Sequence, residues 1–161
     1  MENKRIKLDL NKLNELSETH VIEVLKPEKL IEYNLPFFLE SVSAGFPSPA
    51  DDYLEDKLDL NDLLVKNPAA TFFVRVSGDS MINAGIYSGD ILVVDRSVDP
   101  KDGNIIIAVL DGELTVKRIG LTSSGVYLYP ENEKYKTIKI KEEMNFEVWG
   151  VVRTVIHSVF K

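Results

Sequence analysis

Apolar and polar residues alternate in short runs from residue 71 onward, and small or polar turn residues separate these runs. Runs rich in Val, Ile, Phe and Tyr between such turns are typical of β-strands. The predicted strands are Thr71–Val76, Asp90–Asp95, Asn104–Leu110, Glu113–Ile119, Val126–Tyr129, Thr137–Ile140 and Phe146–Val159. About seven short strands at this spacing predict a mostly β fold, with compact antiparallel sheets or a partly closed barrel.

The N-terminal part of the chain has a different pattern. Apolar residues are scattered between Leu10 and Leu39, and Pro27 and Pro36 interrupt any long helical rhythm. We expect a short helix around residues 9–18 and an otherwise extended or irregular arm. A helix-turn-helix needs two or three well-formed helices, so sequence-specific DNA binding is not expected.

Two segments connect this arm to the β-rich region. Residues 41–50 are small residues and prolines, a composition that by itself indicates an exposed linker. Residues 51–66 carry leucines near helical spacing, which predicts at least one helical turn. Asn67-Pro68 is expected to end it.

Composition narrows the classes of function. The 161 residues carry 19 basic and 26 acidic side chains, and the net charge of −7 has the wrong sign for a chain that mainly binds phosphates. There is no cysteine, which excludes disulfides, thiolate metal sites and a cysteine nucleophile. Two isolated histidines give no metal-ligand spacing, and phosphate-loop patterns are absent, so no metal or cofactor is expected.

The lengths of the apolar runs indicate whether the chain is expected to associate with a membrane. The longest, Ile105–Leu110, is far shorter than the roughly 20 residues that span a bilayer. No apolar stretch of signal-peptide length follows the basic N-terminus. We therefore expect no membrane association and a cytoplasmic location.

The pair Asp111-Gly112 between two β runs predicts a two-residue type I′ hairpin. Its first strand, Ile105–Leu110, is apolar on both faces and should be central and buried. In this register Lys117 lies opposite Ile106. A lysine there either extends to water or is desolvated, and desolvation can lower a lysine pKa by about 3–5 units from about 10.4. A neutral amine near neutral pH could act as a general base.

Ser80 is the candidate nucleophile, in a glycine-bearing turn directly after a predicted strand. Backbone N–H groups at such a turn can face a developing oxyanion. Most turns of this kind are only turns, so the motif alone decides little. A Ser-His-Asp triad would need His20 or His157, of which one lies in the arm and the other in the terminal β run. A Ser-Lys dyad needs only Ser80 and Lys117.

Five motifs in order resemble the LexA/UmuD family of self-cleaving serine peptidases (S24). They are Gly45-Phe46-Pro47-Ser48-Pro49-Ala50, Val76-Ser77-Gly78-Asp79-Ser80-Met81, Ser88-Gly89-Asp90, Asp111-Gly112-Glu113-Leu114-Thr115-Val116-Lys117-Arg118 and Trp149-Gly150-Val151-Val152. The resemblance covers Gly45–Lys161, and the 37-residue separation of Ser80 and Lys117 also suits the family. Residues 1–40 match nothing in it.

The resemblance implies roles for particular residues. Ser80 would be the nucleophile and Lys117 the general base. The scissile bond would be Ala44–Gly45, and the backbone N–H groups of Asp79 and Ser80 would hold the oxyanion. Residues 1–44 would then be an arm removed by self-cleavage. Residues 45–161 would form a β-rich catalytic and dimerisation domain of the LexA C-terminal-domain type.

The resemblance also implies partners and leaves alternatives. Cleavage would be stimulated by the RecA–single-stranded-DNA filament, and the cleaved homodimer would join a UmuC-type Y-family polymerase in translesion synthesis during SOS mutagenesis. A LexA-like repressor is disfavoured by the missing helix-turn-helix. A type I signal peptidase would need a membrane anchor. From a different class, the chain could be a non-cleaving dimeric adaptor in which the serine and the lysine are relics.

Overall fold

A computed structural model of the protein describes residues 19–25, 35–38 and 54–160. The chain divides into two compact units, one formed by residues 1–27 with 67–161 and the other by residues 28–66. The helix expected around residues 9–18 and the Ala44–Gly45 bond lie outside the described residues, so both stay predictions. No helix in the described ranges is long and apolar enough to cross a bilayer.

The described elements follow one another as short strands with little helix. In chain order they are β1 (His20–Leu25), β2 (Leu35–Phe38), β3 (Leu54–Leu58), α1 (Leu60–Leu64), β4 (Thr71–Ser77), a 3-10 turn (Ile82–Ala84), β5 (Ile91–Asp95), β6 (Ile105–Leu110), β7 (Glu113–Thr122), β8 (Gly125–Tyr129), β9 (Ile138–Lys139) and β10 (Phe146–Ile156). All seven strands predicted from Thr71 onward are confirmed. The terminal strand ends at Ile156 rather than Val159.

The strands of the larger unit form one antiparallel sheet in the order β1-β4-β5-β10-β6-β7-β8-β9. A further pairing joins β1 to β7, with His20 opposite Thr115. Six strands, from β1 through β4, β5, β10 and β6 to β7, thereby close into a ring. This confirms the mostly β, partly closed antiparallel barrel and shows that a strand of the arm completes it.

The core of this unit consists of two clusters of buried apolar side chains. β6 contributes to both, since Ile106 and Ile107 point to opposite faces and both are fully buried. Full burial of one such side chain stabilises a fold by roughly 1.5–3 kcal/mol. The central, doubly buried position predicted for this strand is confirmed.

The β6–β7 hairpin turns at Asp111 and Gly112, whose φ angles of 50° and 89° are both positive. A type I′ turn requires positive φ at both central positions. The resulting register runs from Leu110 opposite Glu113 to Ile106 opposite Lys117, as predicted.

The smaller unit combines a two-stranded ribbon with one short helix. β2 pairs with β3 in antiparallel register, and α1 follows. The helix begins after Asp59, whose carboxylate accepts a hydrogen bond of 2.7 Å from the Asn61 N–H. The predicted helical turn is therefore confirmed for Leu60–Leu64. The leucines of Leu54–Leu58 belong to a strand instead, because pairing with β2 supplies the backbone hydrogen bonds that a helix would have made.

Candidate active site

Ser80 lies in the turn that follows β4. Gly78 adopts a φ of 93°, a conformation that side-chain-bearing residues rarely take, and so lets the chain turn sharply. The next residue, Met81, is fully buried in the core, and the 3-10 turn Ile82–Ala84 follows directly. Ser80 itself is 0% exposed. The turn thus directs the serine hydroxyl inward.

Lys117 reaches Ser80 from β7. Its Nζ atom lies 3.2 Å from Ser80 Oγ and 3.1 Å from Thr115 Oγ1. Thr115 and Lys117 are two residues apart on one strand, so their side chains share a face. Lys117 is only 1% exposed, so the lysine is desolvated rather than extended to water. Burial disfavours the charged ammonium relative to the neutral amine.

A second group in contact with the serine hydroxyl comes from the segment just before β1. The backbone N–H of Thr19, the residue before β1, donates a hydrogen bond of 3.0 Å to Ser80 Oγ. Thr19 is fully buried, and its own hydroxyl has no hydrogen-bond partner among the described residues. A segment of the arm therefore lies against the candidate nucleophile.

A loop after β8 holds the backbone around Ser80. The Ser80 carbonyl accepts a hydrogen bond of 2.7 Å from the Glu131 N–H, and the Asp79 carbonyl accepts one of 3.0 Å from Asn132 Nδ2. The Tyr135 hydroxyl donates to the Asp79 carboxylate. Because a peptide group is planar and trans, fixing the Asp79 carbonyl also fixes the direction of the Ser80 N–H.

The structure does not bring His157 to the serine. Its Nδ1 lies 2.6 Å from the carboxylate of Asp90, which also accepts a 2.8 Å hydrogen bond from the Tyr87 N–H. His20 lies on β1, and the structure does not describe its side chain. The sequence left two arrangements open, a Ser-His-Asp triad and a Ser-Lys dyad. Among the described side chains, the serine lies next to the lysine. No three His, Asp or Glu side chains within residues 19–25, 35–38 and 54–160 are placed to hold a metal ion.

Several contact residues of this site were not predicted from the sequence. The hairpin register already places Thr115 on the same face as Lys117, and only its contact with the lysine amine was not predicted. Asn132 and Tyr135 carry no comparable signal, since they lie in a loop more than fifty residues after Ser80. Thr19 also carries no sequence signal, because nothing in the sequence of the arm indicates that the arm reaches the site.

Comparisons with known proteins agree with this fold. The family described as Peptidase S24-like matches residues 36–153, more than half of the chain. The match thus begins at residue 36, so the expectation that residues 1–40 match nothing in the family is wrong for its last five residues. Protein SamA of Salmonella typhimurium is 46% identical over 135 residues, covering 84% of this chain and 94% of that relative. Protein ImpA of Escherichia coli is 48% identical over 125 residues, covering 78% and 85%. Protein MucA of Escherichia coli is 43% identical over 121 residues, covering 74% and 82%.

The chain therefore belongs to the S24-like peptidase family, as a member of the UmuD type. The antiparallel, partly closed sheet agrees with the LexA C-terminal-domain fold that the resemblance implied. Membership supports a self-cleaving serine peptidase that acts in SOS mutagenesis.

Proposed function

We propose that Ser80 and Lys117 form a catalytic dyad that cuts the chain's own Ala44–Gly45 bond. The observation that carries this proposal is the 3.2 Å contact between Ser80 Oγ and Lys117 Nζ, made by two side chains buried from water. A nucleophile within hydrogen-bond reach of a base is the arrangement that covalent catalysis needs. Burial favours the neutral amine, which is the form that accepts a proton.

In the first step, the Ser80 hydroxyl gives its proton to the neutral Lys117 amine while Oγ bonds to the carbonyl carbon of Ala44. The tetrahedral intermediate then collapses, the C–N bond to Gly45 breaks, and the Lys117 ammonium returns the proton to the leaving amine. An ester between Ser80 and Ala44 remains. Water, deprotonated by Lys117, hydrolyses this ester and restores the serine.

The negative charge of the intermediate falls to the backbone N–H groups of Asp79 and Ser80. The hydrogen bonds from Asn132 and Glu131 support this role, because they hold the turn rigid before the charge develops. Donors fixed in advance need no reorganisation during the reaction, which is what makes oxyanion stabilisation effective.

The substrate fits a buried site. Ala44 and Gly45 carry minimal side chains at the attacked carbonyl, and Val42 could fill a shallow apolar pocket. Because the substrate belongs to the same chain, its effective concentration is high, and a weak intrinsic catalyst suffices. Residues 1–44 then form the arm removed by cleavage, and residues 45–161 the body that remains.

The partners and the location proposed here are those that the family resemblance implies. We propose that the RecA–single-stranded-DNA filament favours the cleavage-competent conformation by binding it more tightly than the resting one. The cleaved body would act in the cytoplasm as a homodimer and as an accessory subunit of a UmuC-type translesion polymerase. Light scattering checks the dimer: the uncleaved chain should have twice the monomer mass of 18.2 kDa.

The test is incubation of the purified protein at about pH 10, where roughly a quarter of an ordinary lysine is neutral and a larger fraction of a desolvated one. Mass spectrometry should show two fragments that meet between Ala44 and Gly45. Ser80→Ala and Lys117→Ala should each abolish cleavage, whereas the matched controls Ser88→Ala and Lys101→Ala change exposed residues and should cleave normally.

Other outcomes would point elsewhere. An intact chain both at this pH and with activated RecA would favour the non-cleaving adaptor. Cutting of a supplied peptide in trans at neutral pH would favour a signal-peptidase-like activity. Specific operator binding by the uncleaved chain would favour a repressor-type autoprotease.

A further inference from the structure

Strand β1 lies between β4 and β7, the two strands that carry the dyad into place. Its backbone pairs with β4 from His20 opposite Ser77 to Leu25 opposite Phe73, and His20 is also opposite Thr115 of β7. Without β1, the ring of strands would be open at the position of the dyad. β4 and β7 therefore form a groove whose occupant in this structure is an extended segment of the arm.

The contacts that hold β1 are those of a strand added to a sheet edge. In such a complex, main-chain pairing gives affinity and pockets for alternate side chains give specificity. Thr19 and Val21, two residues apart, are both buried, and Val21 joins the core cluster. Glu23 and Val24, farther along the strand, are exposed. The groove thus fits an extended peptide with small β-branched residues at two alternate positions.

Thr19, just before β1, lies at the position beside Ser80 that a substrate peptide would have to occupy. Attack requires a carbonyl carbon to approach the nucleophile to about 3–3.5 Å. The Thr19 nitrogen already lies 3.0 Å from Ser80 Oγ, and both residues are fully buried. On this side of the hydroxyl, Thr19 occupies the space that an approaching peptide bond would need.

Several features make β1 a displaceable occupant. The Thr19 hydroxyl is buried without a hydrogen-bond partner among the described residues, and leaving such a group unpaired costs free energy. A bulge between Val21 and Glu23 interrupts the pairing with β4. Val24 exposes an apolar side chain to water at 41%. These features weaken the attachment of β1 relative to a fully paired and fully buried strand.

We propose that the groove between β4 and β7 is a binding site for an extended peptide strand and that β1 is its resident, inhibitory ligand. Cleavage then requires β1 to leave so that the Ala44–Gly45 segment can approach Ser80. The inhibitory part rests on the proposed function of the dyad. The strand-binding part stands on the pairing alone.

Locking β1 in the groove tests the inhibition. Glu23 and Arg75 are paired across β1 and β4, their side chains are partly exposed, and the chain has no native cysteine. Cysteines at directly paired positions of antiparallel strands can come within disulfide distance. In the variant with both Glu23→Cys and Arg75→Cys, oxidation should reduce the self-cleavage rate at least about tenfold, the fold-change expected when the open state becomes rare.

Reduction of this variant should restore the original rate, and the single variants Glu23→Cys and Arg75→Cys should be insensitive to oxidation. Equal cleavage by the oxidised and reduced double variant would overturn the inhibition. If the wild-type chain does not cleave at all, the proposed function fails, and the groove is judged by the binding measurement below.

A labelled peptide of residues 17–26 tests the groove without any need for catalysis. The full-length Val21→Asp variant places a charge at a buried position of its own β1 and should undock it. Fluorescence anisotropy should then show binding of the peptide. The same peptide carrying Val21→Asp should bind at least about tenfold more weakly, since a buried charge strongly disfavours docking.

The matched protein control is Val24→Asp, the same change at an exposed position of the same strand. Its own β1 should stay docked and exclude the peptide. Equal binding by the two peptides would overturn the strand-binding site. If Val21→Asp unfolds the body, as circular dichroism would show, the reduced double-cysteine variant takes its place: it should bind more peptide than its oxidised form, and equal binding by the two forms would count against the groove.

Discussion

At the scale of single residues, the site depends on a lysine that is buried from water beside the proposed nucleophile. Lys117 is buried next to Ser80, and the Thr115 hydroxyl accepts a hydrogen bond from its Nζ. This bond helps to fix the position of the amine, which lies 3.2 Å from Ser80 Oγ. Thr115 is in this sense a positioning residue, since it acts through Lys117.

We predict that Thr115→Val slows self-cleavage up to about tenfold, because a lost hydrogen bond is worth about 0.5–1.5 kcal/mol. Thr115→Ser keeps the hydroxyl and should recover most of the rate. Rates at several pH values measure the effect. A role in folding alone would instead lower the melting temperature of Thr115→Val and leave the rate of the folded protein unchanged.

Asn132 supports the nucleophile's turn through the Asp79 carbonyl, and its amide also lies 3.3 Å from the Asp79 carboxylate. Asn132→Ala should destabilise the protein by about 1–3 kcal/mol, because the amide is mostly buried. Asn132→Asp should lower the free energy of unfolding more than Asn132→Ala does, since it places a second carboxylate beside that of Asp79. Urea denaturation measures both, with Glu133→Ala, at an exposed neighbour, as the control. Equal stabilities of the two variants would contradict the electrostatic part.

At the scale of elements, the β6–β7 hairpin places the lysine. Two glycine-compatible turn positions and one doubly apolar strand determine its register, and both are local properties of the sequence. This is why the pairing of Ile106 with Lys117 could be predicted residue by residue. A one-residue slip would move Lys117 to the opposite face of the sheet.

β10 crosses the sheet between β5 and β6 and bends at a bulge between Val148 and Gly150. A Cβ atom at Gly150 would lie 2.8 Å from Val94 Cγ1 and 3.0 Å from the backbone oxygen of Asp95. Gly150→Ala should therefore destabilise the fold by about 1–3 kcal/mol, the usual cost of overpacking. At Gly120 the nearest atoms belong to the Tyr129 ring, which can move. In thermal denaturation, Gly120→Ala should therefore lower the stability less than Gly150→Ala does. A larger loss of stability for Gly120→Ala would contradict this prediction.

Other elements could not be predicted because their partners are distant. The leucines of Leu54–Leu58 have helical spacing, yet pairing with β2 makes them a strand. β1 is short and lies in a region with no regular alternation, so only its pairing with β4 defines it. Local patterns predict elements well where burial is periodic, and poorly where a single partner strand decides.

At the scale of the whole molecule, the arm contributes a strand to the body that it precedes. Residues 1–27 group with residues 67–161, although the proposed cleavage at Ala44 would separate them in the chain. Cleavage there breaks no pairing between β1 and β4. It only turns an intramolecular contact into an intermolecular one and so lowers the effective concentration of the strand.

We predict that the fragment 1–44 stays bound to the body after cleavage at high protein concentration and dissociates on dilution. Size-exclusion chromatography of the cleaved sample, with mass spectrometry of each peak, measures this. Val21→Asp should release the fragment at every concentration. Immediate and complete separation of the wild-type fragments would contradict the prediction.

The sequence by itself determined the seven strands from Thr71 onward and the hairpin register, because turn chemistry, alternation and a buried strand are local signals. It offered Ser80 and Lys117 only as candidates, and the family resemblance joined them as a dyad. Only the tertiary structure decided that β1 closes the ring against Ser80 and that Asn132 and Tyr135 hold the turn. These contacts join segments that are far apart in the chain. The packing of the whole sheet determines which segments pair, and local sequence patterns do not predict it.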